Sequence, residues 1–450
     1  MNISAVQNYY SQSLYIEELE SISFLYGLRV KLSLITEVSW RDIGKFEDRL
    51  EANLDALISG VEAALDVCLQ QAKEGDAGAL HGAMRVFCRK GRRDLFIDTL
   101  EHLDPEDQEK LQALFDALKY ELPIDWQEDL ISLLQTDDDQ LCGLVATVAG
   151  YRRMPVGRNL VQALQRFQPA PLIWAAGRLR ERSAASLLLP ALRHDDETVC
   201  SVAALALLRL GERQALDHCR EMAGKKGWPI IPLALGGGKS ALPVVLAIAR
   251  SEAISPDALL ALGLLGESSA APFLLEKLGG EHAEAAAQAL NLLTGAELYE
   301  RVFIPDEVDE DELFPEELEA YKKDGKVPTK PDGTPYGEWV TRLSQNHEDW
   351  SNWWAKNGQV FLPGIRYRNG TPFSPATLLE NLQHEKTPYK IRQLAYEELV
   401  IRYDVDFPFE ADMRVVDQLR LLVDMAQWVA ANSGRFQSGE WYFAGHIVAG

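Results

Sequence analysis

The sequence is poor in the residues on which several common kinds of protein depend. Its 450 residues include five cysteines, which are scattered singly along the chain as Cys68, Cys88, Cys142, Cys200 and Cys219. An odd, unclustered set argues against a disulfide framework and a cysteine metal site, and it favours reduced thiols in a cytoplasm. No apolar run reaches the ~18 residues that cross a bilayer, so no membrane contact is expected.

Basic residues are also scarce, since 45 lysines and arginines face 68 acidic residues and the net charge is −23. Binding of nucleic acid relies on clustered cations, so a nucleic-acid partner is not expected. One dense basic run at residues 89–93 keeps a HEAT-like nucleic-acid-binding protein open as an alternative. The first 28 residues carry no lysine or arginine, which predicts no secretory signal and a cytoplasmic location.

Catalytic motifs are incomplete. Residues 236–240 read Gly-Gly-Gly-Lys-Ser after an apolar run, but Leu233 stands where a phosphate-binding loop needs its first glycine. His347-Glu348 begins like a zinc-protease helix, and Ser351 replaces its second histidine. The sequence therefore predicts a non-enzyme with no catalytic residue, no cofactor and no metal ligand.

What the sequence does contain is a repeat between about residues 125 and 300. Glycines follow apolar stretches ending in leucine at Gly211, Gly236, Gly266 and Gly295, at intervals of 25, 30 and 29 residues. A glycine placed just after a helix can adopt the left-handed conformation that ends it. The spacing predicts that each helix pair of the repeat ends at one of these glycines.

The beginnings of the helices repeat as well. Residues 240–246 (Ser-Ala-Leu-Pro-Val-Val-Leu) and 269–275 (Ser-Ala-Ala-Pro-Phe-Leu-Leu) place a proline in a first helical turn, where it costs no hydrogen bond. The acidic pairs Asp138-Asp139 and Asp195-Asp196 precede Ala/Leu-rich runs, and acidic residues suit a helix N-terminus. The small residues of these runs predict close approach of neighbouring helices. The pattern predicts an all-α fold, an α-solenoid of HEAT-like helix pairs.

Composition divides the chain into four regions. Residues 1–120 are predicted to form an irregular helical cap, residues 121–300 the repeat array, residues 301–335 an acidic, Pro/Gly-rich insertion or linker, and residues 336–450 a further helical region. In the last region we expect a Trp-rich helix over 336–357 and a small β-hairpin over 365–373. The hairpin would turn at Asn369-Gly370, and one more HEAT-like helix pair would follow it.

Three stretches of the chain resemble an uncharacterised bacterial family with the short HEAT-like repeats first noted in phycobilin lyases. They are Tyr15-Ile16-Glu17-Glu18-Leu19-Glu20 through Ser23-Phe24-Leu25; Asp48-Arg49-Leu50-Glu51-Ala52-Asn53-Leu54-Asp55-Ala56-Leu57; and Trp353-Trp354 through Asn357 with Gly364-Ile365-Arg366-Tyr367-Arg368 and Arg392-Gln393-Leu394-Ala395. Asn53 and Ala56 depart from the family's histidine and glycine. The family is often encoded near type VI secretion genes. The resemblance implies a non-catalytic protein-binding scaffold, an accessory, adaptor or immunity-like protein; the alternative it leaves is a lyase-like enzyme.

The predicted partner is a protein with a basic or mixed surface, such as a type VI secretion effector, spike or adaptor. Partners of solenoids commonly lie on the concave face, here that of residues 125–300. The segment 306–319 carries nine acidic residues and is expected to help through Asp309, Glu310, Asp311 and Glu312. Arg366, Tyr367 and Arg368, on the predicted hairpin, are expected to be further exposed contacts.

Overall fold

A computed structural model describes residues 3–251, 254–306, 308, 313–325, 327–330 and 333–448, without the side chains of residues 3–11, 316 and 320. In this part of the chain the fold is all-α apart from small antiparallel hairpins, as the sequence predicts. No helix of the described residues combines the length and apolar character needed to cross a membrane.

The N-terminal region is a cluster of helices rather than a regular row. Its elements are α1 (Ile3–Leu34), α2 (Gly44–Ser59), α3 (Glu62–Glu74), α4 (Ala77–Lys90), α5 (Arg93–Leu100) and α6 (Gln108–Glu121). Helix α1 packs against α2, α3 and α4, and α4 packs against α6. Leu50, Leu54 and Leu57 recur at helical spacing in α2 and are buried.

Twelve further helices follow within the described residues. They are α7 (Gln127–Ser132), α8 (Asp139–Arg152), α9 (Arg158–Arg166), α10 (Ala170–Arg178), α11 (Ala185–Leu188), α12 (Glu197–Arg209), α13 (Gln214–Met222), α14 (Ile230–Gly236), α15 (Ala241–Ala249), α16 (Pro256–Leu265), α17 (Ala271–Glu276) and α18 (Ala283–Thr294). The even-numbered helices α8 to α18 each pack against the next one, and we call them the helix row.

Small residues set the spacing of the helix row. A Cβ atom added at Gly177 in α10 would lie 2.8 Å from the Cα atom of Ala206 in α12. One added at Gly263 in α16 would lie 2.5 Å from the Cα atom of Ala289 in α18. Neither separation leaves room for a side chain, so the backbones meet here as the small residues predict.

Most of the predicted helix ends are confirmed. Gly211, Gly266 and Gly295 have positive φ angles of 84°, 69° and 59°. Asp138 and Asp196 accept hydrogen bonds from backbone N–H groups at the beginnings of α8 and α12. For the remaining glycine, Gly236, the prediction of a left-handed helix end was wrong.

Gly236 is the last residue of α14 and has no positive φ angle. A Cβ atom there would lie 3.1 Å from the δ-methyl groups of Leu208 and 3.2 Å from one of Leu216. The position is therefore a tight packing contact inside the helix. Residues 237–240 then form the turn into α15.

The C-terminal region mixes helices with three short hairpins. Its elements are β1 (Tyr299–Pro305), α19 (Pro315–Asp324), β2 (Gly337–Leu343), α20 (His347–Asn357), β3 (Tyr367–Arg368), β4 (Thr371–Pro372), α21 (Pro375–Gln383), α22 (Tyr389–Tyr403), α23 (Val415–Ala431), β5 (Tyr442–Phe443) and β6 (His446–Ile447). The strands pair antiparallel as β1–β2, β3–β4 and β5–β6.

Two expectations for this region need correction. The predicted Trp-rich helix over 336–357 is helical only as α20, because residues 337–343 form β2 and pair with β1 in register from Tyr299↔Leu343 to Pro305↔Gly337. The predicted insertion or linker over 301–335 contains most of β1 and all of α19. The hairpin over 365–373 is confirmed, and both Asn369 and Gly370 have the positive φ angles of a type I′ turn.

The C-terminal region folds back onto the ends of the helix row. The β3–β4 hairpin donates backbone hydrogen bonds from Tyr367 to Gly266 (2.7 Å) and from Asn369 to Leu292 (2.8 Å), at the ends of α16 and α18. Helix α22 packs against α12 and α14. One apolar core extends from Leu19 through the helix row, and a second forms around α21, α22 and α23.

All five cysteines are free and buried, as expected of reduced core thiols. Burial raises the pKa of the Cys68, Cys88 and Cys219 thiols to about 12, so these side chains remain protonated at neutral pH. In the described residues, no group of three or more histidines, cysteines and carboxylates is placed to hold a metal ion. The cysteines lie in the apolar core.

Candidate functional site

The predicted contact residues divide into two groups. Asp309, Glu310, Asp311 and Glu312 lie outside the described residues. Arg366, Tyr367 and Arg368 are buried, with 0%, 4% and 0% of their surface exposed. The prediction that these three are exposed contacts was wrong, because the hairpin that carries them is inserted between the helix row and α22.

The two arginines of the hairpin satisfy the carbonyl groups that a helix leaves free at its end. Arg366 donates to the carbonyl oxygens of Leu264 (2.7 Å) and Leu265 (3.0 Å) in α16. Arg368 donates to Leu264 as well (3.1 Å). Both guanidinium groups also form ion pairs with the carboxylate of Glu398 in α22. Their role is to join α22 to the helix row.

Glu398 is the only carboxylate among the described residues that pairs with these arginines, and it holds a third one. Arg402 lies one helical turn away, 3.0 Å from the Glu398 carboxylate, and donates to the carbonyl oxygen of Ala234 in α14 (2.7 Å). Burial alone would raise the pKa of Glu398, but the three guanidinium groups outweigh it and lower the pKa to about 2. Burial and the nearby Arg402 lower the pKa of Arg366 to about 9, so this side chain is cationic at neutral pH.

A second buried network joins α22 to the middle of the helix row. Glu397 pairs with Arg178 of α10 (2.6 Å) and Arg209 of α12 (2.9 Å), and Arg178 also pairs with Glu410 (2.6 Å). Arg178 and Arg209 each lie in the last turn of their helix. The C-terminal ends of helices α10 to α18 of the helix row are thus in contact with the chain's own C-terminal region.

The paired strands β1 and β2 lie next to α18 and carry exposed side chains. We call the paired strands β1 and β2 the arm; the acidic run 306–319 lies between them in the sequence. Trp339 in β2 is 59% exposed, and its ring stands edge-on to Phe303 in β1 with the centroids 5.6 Å apart. The guanidinium carbon of Arg301 lies 5.2 Å from the centroid of the Trp339 ring. The arm therefore holds a large aromatic side chain at the surface in a fixed orientation.

A cleft of about 750 Å³ opens at the base of the arm. It is bounded by the arm, the end of α18, the loop after α1, the β3–β4 turn and the α21–α22 connection. Its lining includes Thr36, Glu37, Glu284, Gln288, Asn291, Glu297, Tyr299, Ile304, Thr341, Arg342, Gln345, Asn369, Glu380, Asn381, His384, Lys386 and Thr387. We call this space the cleft. Its walls carry four carboxylates and five side-chain amides.

The cleft carries an excess of negative charge. Four carboxylates line it against two permanent cations, Arg342 and Lys386. Arg342 is engaged by Glu300 outside the lining (3.0 Å), and the Lys386 ammonium lies 4.4 Å from the Tyr299 ring centroid. Burial, with the negative charge of Glu297 nearby, raises the pKa of Tyr299.

Three of the carboxylates have no counter-ion in the described part of the chain; one of them, Glu380, accepts a hydrogen bond from the side-chain amide of Asn369 (3.2 Å). Glu37 and Glu284 are both exposed, and neither forms an ion pair with a described cation. Glu297 pairs with His384 at 3.0 Å, a contact that is ionic only while the histidine is protonated. These acceptors, with the amides of Gln288 and Gln345, suit a polypeptide with cationic side chains.

The fold and the cleft together describe an all-α protein whose C-terminal region folds back on a row of helices and leaves an acidic cleft beside an aromatic arm. Comparisons of the chain with protein-family models and with curated proteins find no match.

Proposed function

We propose that this protein is a non-catalytic scaffold that binds a partner protein through the cleft and the arm. The observation that carries the proposal is the unpaired negative charge of Glu37 and Glu284 within reach of the exposed arm. Charge of this kind attracts a basic or mixed surface over roughly a Debye length, about 8 Å at physiological salt. The net charge of −23 excludes strongly acidic partners by repulsion.

Trp339 is the proposed anchor of the interface. Tryptophan and arginine are the residues most enriched among those that carry binding energy, and here they are adjacent as Trp339 and Arg301. Their ring and guanidinium contact fixes the aromatic side chain before binding, which lowers the entropy that the interface costs. The acidic run 306–319 adds negative charge to the segment that joins the two strands of the arm.

The family resemblance of residues 15–25, 48–57 and 353–395 extends the proposal to a biological setting. We propose that the partner is a component of a type VI secretion cluster, an effector, spike or adaptor, and that the protein acts in the cytoplasm. The abundance of carboxylates and the few cations in the cleft support a protein partner rather than a nucleic acid.

Replacing Trp339 by alanine is expected to weaken partner binding by roughly 2 kcal/mol or more, which is about 30-fold. The test is affinity capture from a lysate of the source organism, with the captured partner then titrated against purified wild type and variant. Phe24→Ala is the matched control, because Phe24 is 66% exposed on α1 and lies neither in the cleft nor on the arm. Equal losses in both variants would show that exposed aromatic surface, not the arm, holds the partner.

A further inference from the structure

A second concave surface, lined by residues between 93 and 144, has a different chemistry. It is a pocket of about 540 Å³ between α5, α6, α7 and α8. Its floor is formed by buried side chains of α6, among them Leu114, Phe115 and Leu118. Ile97 and Leu100 of α5 form part of the wall and remain 43% and 38% exposed. We call this space the apolar pocket.

Its size and lining suit a small apolar ligand. Sites for small molecules are concave, about 300–1,000 Å³ in volume, mostly apolar, and carry few polar groups. Apolar surface left in water is unfavourable by about 25 cal/mol for each Å², so a ligand that covers it gains that free energy. The lining of the cleft is far less apolar, because charged and amide side chains make up much of it.

One cation stands at the rim. Arg93 in α5 pairs with Asp129 in α7 at 2.8 Å, and both side chains are about half exposed (50% and 58%). Such an exposed pair stabilises by only about 0.2–1 kcal/mol, so another carboxylate can share or replace Asp129. A guanidinium has five N–H donors, and the ion pair engages Arg93 through its Nη2 atom.

The other cations of the basic run at residues 89–93 pair with groups of the same chain. Arg89 pairs with Glu51 and Glu121, both at 2.5 Å, and Lys90 donates to the carbonyl oxygens of Ile58 and Gly60. Arg92 pairs with Asp94 and Glu62. Arg93 is the most exposed arginine of the run and the one that lines the apolar pocket.

We propose that the apolar pocket binds a long-chain carboxylic acid, with the acyl chain along α6 and the carboxylate at Arg93. The Arg93–Asp129 ion pair favours this ligand over an α-helix of a partner protein. It joins α5 to α7 at the surface, and an α-helix, about 10 Å across with its side chains, would have to separate these two walls. A single acyl chain is much narrower than a helix, and its carboxylate can pair with Arg93 in place of Asp129.

The test is a titration of the full-length protein with cis-parinaric acid, a fluorescent long-chain carboxylic acid. Saturable binding that palmitic acid displaces is expected. Leu100→Asp, which puts a charge on an exposed position of the wall, should weaken binding roughly tenfold or more. Arg93→Gln should weaken binding of the acid roughly fivefold and leave binding of a long-chain alcohol unchanged.

Arg92→Gln is the matched control, because Arg92 is a neighbouring cation that does not line the pocket. Circular dichroism of each variant checks that it folds. The proposal is overturned if the wild type does not bind the acid saturably, if Leu100→Asp binds it as tightly as the wild type, or if Arg92→Gln and Arg93→Gln weaken it equally. It is also overturned if an amphipathic helical peptide binds the pocket and the acid does not.

Discussion

Replacing Glu398 by glutamine should lower the free energy of unfolding by about 3–5 kcal/mol, the cost of removing one partner from a buried ion-pair network. In the variant, the buried guanidinium groups of Arg366, Arg368 and Arg402 would lose their shared counter-charge. Their backbone carbonyl acceptors would remain, but neutral acceptors cannot offset the cost of burying three cations. Denaturant unfolding followed by circular dichroism measures the loss.

Glu385→Gln is the matched control, since Glu385 is an exposed glutamate near the beginning of the same helix. We expect its effect to stay within about 0.5 kcal/mol. A Glu398→Gln variant as stable as this control would mean that the three arginines do not depend on the Glu398 carboxylate. The attachment of α22 to the helix row would then have another source.

The same carboxylate makes stability depend on acid pH. Its pKa is about 2 in the fold, whereas the ordinary value is 4.5, so between these values the unfolded chain binds more protons than the folded one. Stability from this group is therefore complete above about pH 4.5 and is lost as the pH falls toward about 2. The Glu398→Gln variant should show a smaller loss of stability than the wild type over this interval.

Replacing Gly266 by alanine should cost about 2–5 kcal/mol. Two effects add. A residue with a Cβ atom pays about 1–2 kcal/mol for the left-handed conformation at φ 69°. The added methyl group would also overlap the carbonyl oxygen of Tyr367, and relieving such overpacking costs about 1–3 kcal/mol more. This overlap arises only if the β3–β4 hairpin lies against the end of α16.

Gly91→Ala is the control that separates the conformational cost from the cost of overpacking. Gly91 also ends a helix, with φ 64°, but nothing lies within 4 Å of a Cβ atom built there. Its replacement should cost only the conformational part, about 1–2 kcal/mol. Equal losses at Gly91 and Gly266 in denaturant unfolding would contradict the close contact between the hairpin and the helix row.

The parts of the fold that the sequence predicts correctly are those with local causes. A helix end needs only a glycine in the right backbone conformation, and a helix beginning needs a side-chain acceptor such as Asp138 or Asp196. These signals recur with the repeat and identify the helices. Gly236 shows the limit, because its glycine serves packing against Leu208 rather than backbone conformation.

The strands of the arm were missed for a different reason. In β2 the residues Trp339, Thr341 and Leu343 alternate with a period of two, but Trp350, Trp353 and Trp354 continue at helical spacing in α20. Extending the helical period backward hid the strand. The partner strand β1 lies more than 30 residues earlier in the chain, so no local pattern pairs the two.

The buried arginines could have been found from α22. Its sequence places Ile391, Leu394, Leu399, Val400 and Ile401 on more than one side, which is typical of a helix buried all round. Charged residues within such a helix have to be paired in the interior, so Glu397 and Glu398 require cations from elsewhere. Which cations they meet depends on the tertiary fold. The cleft has the same character, because it is assembled from five separate segments of the chain.

The most direct test of the proposed function is to neutralise the cleft and measure partner affinity. The variant carries Glu37→Gln, Glu284→Gln and Glu297→Gln. Its control carries Glu20→Gln, Asp195→Asn and Asp424→Asn, three exposed carboxylates outside the cleft, so the net charge changes equally. The partner captured by the wild type is titrated against both variants at low and at physiological salt.

Exposed ion pairs contribute about 0.2–1 kcal/mol each, so we expect the cleft variant, with three carboxylates replaced, to bind roughly 3- to 160-fold more weakly and to show a smaller salt dependence. The control should bind like the wild type apart from a small change in long-range attraction. If both variants keep the affinity and the salt dependence of the wild type, or lose them equally, the cleft is not the binding site.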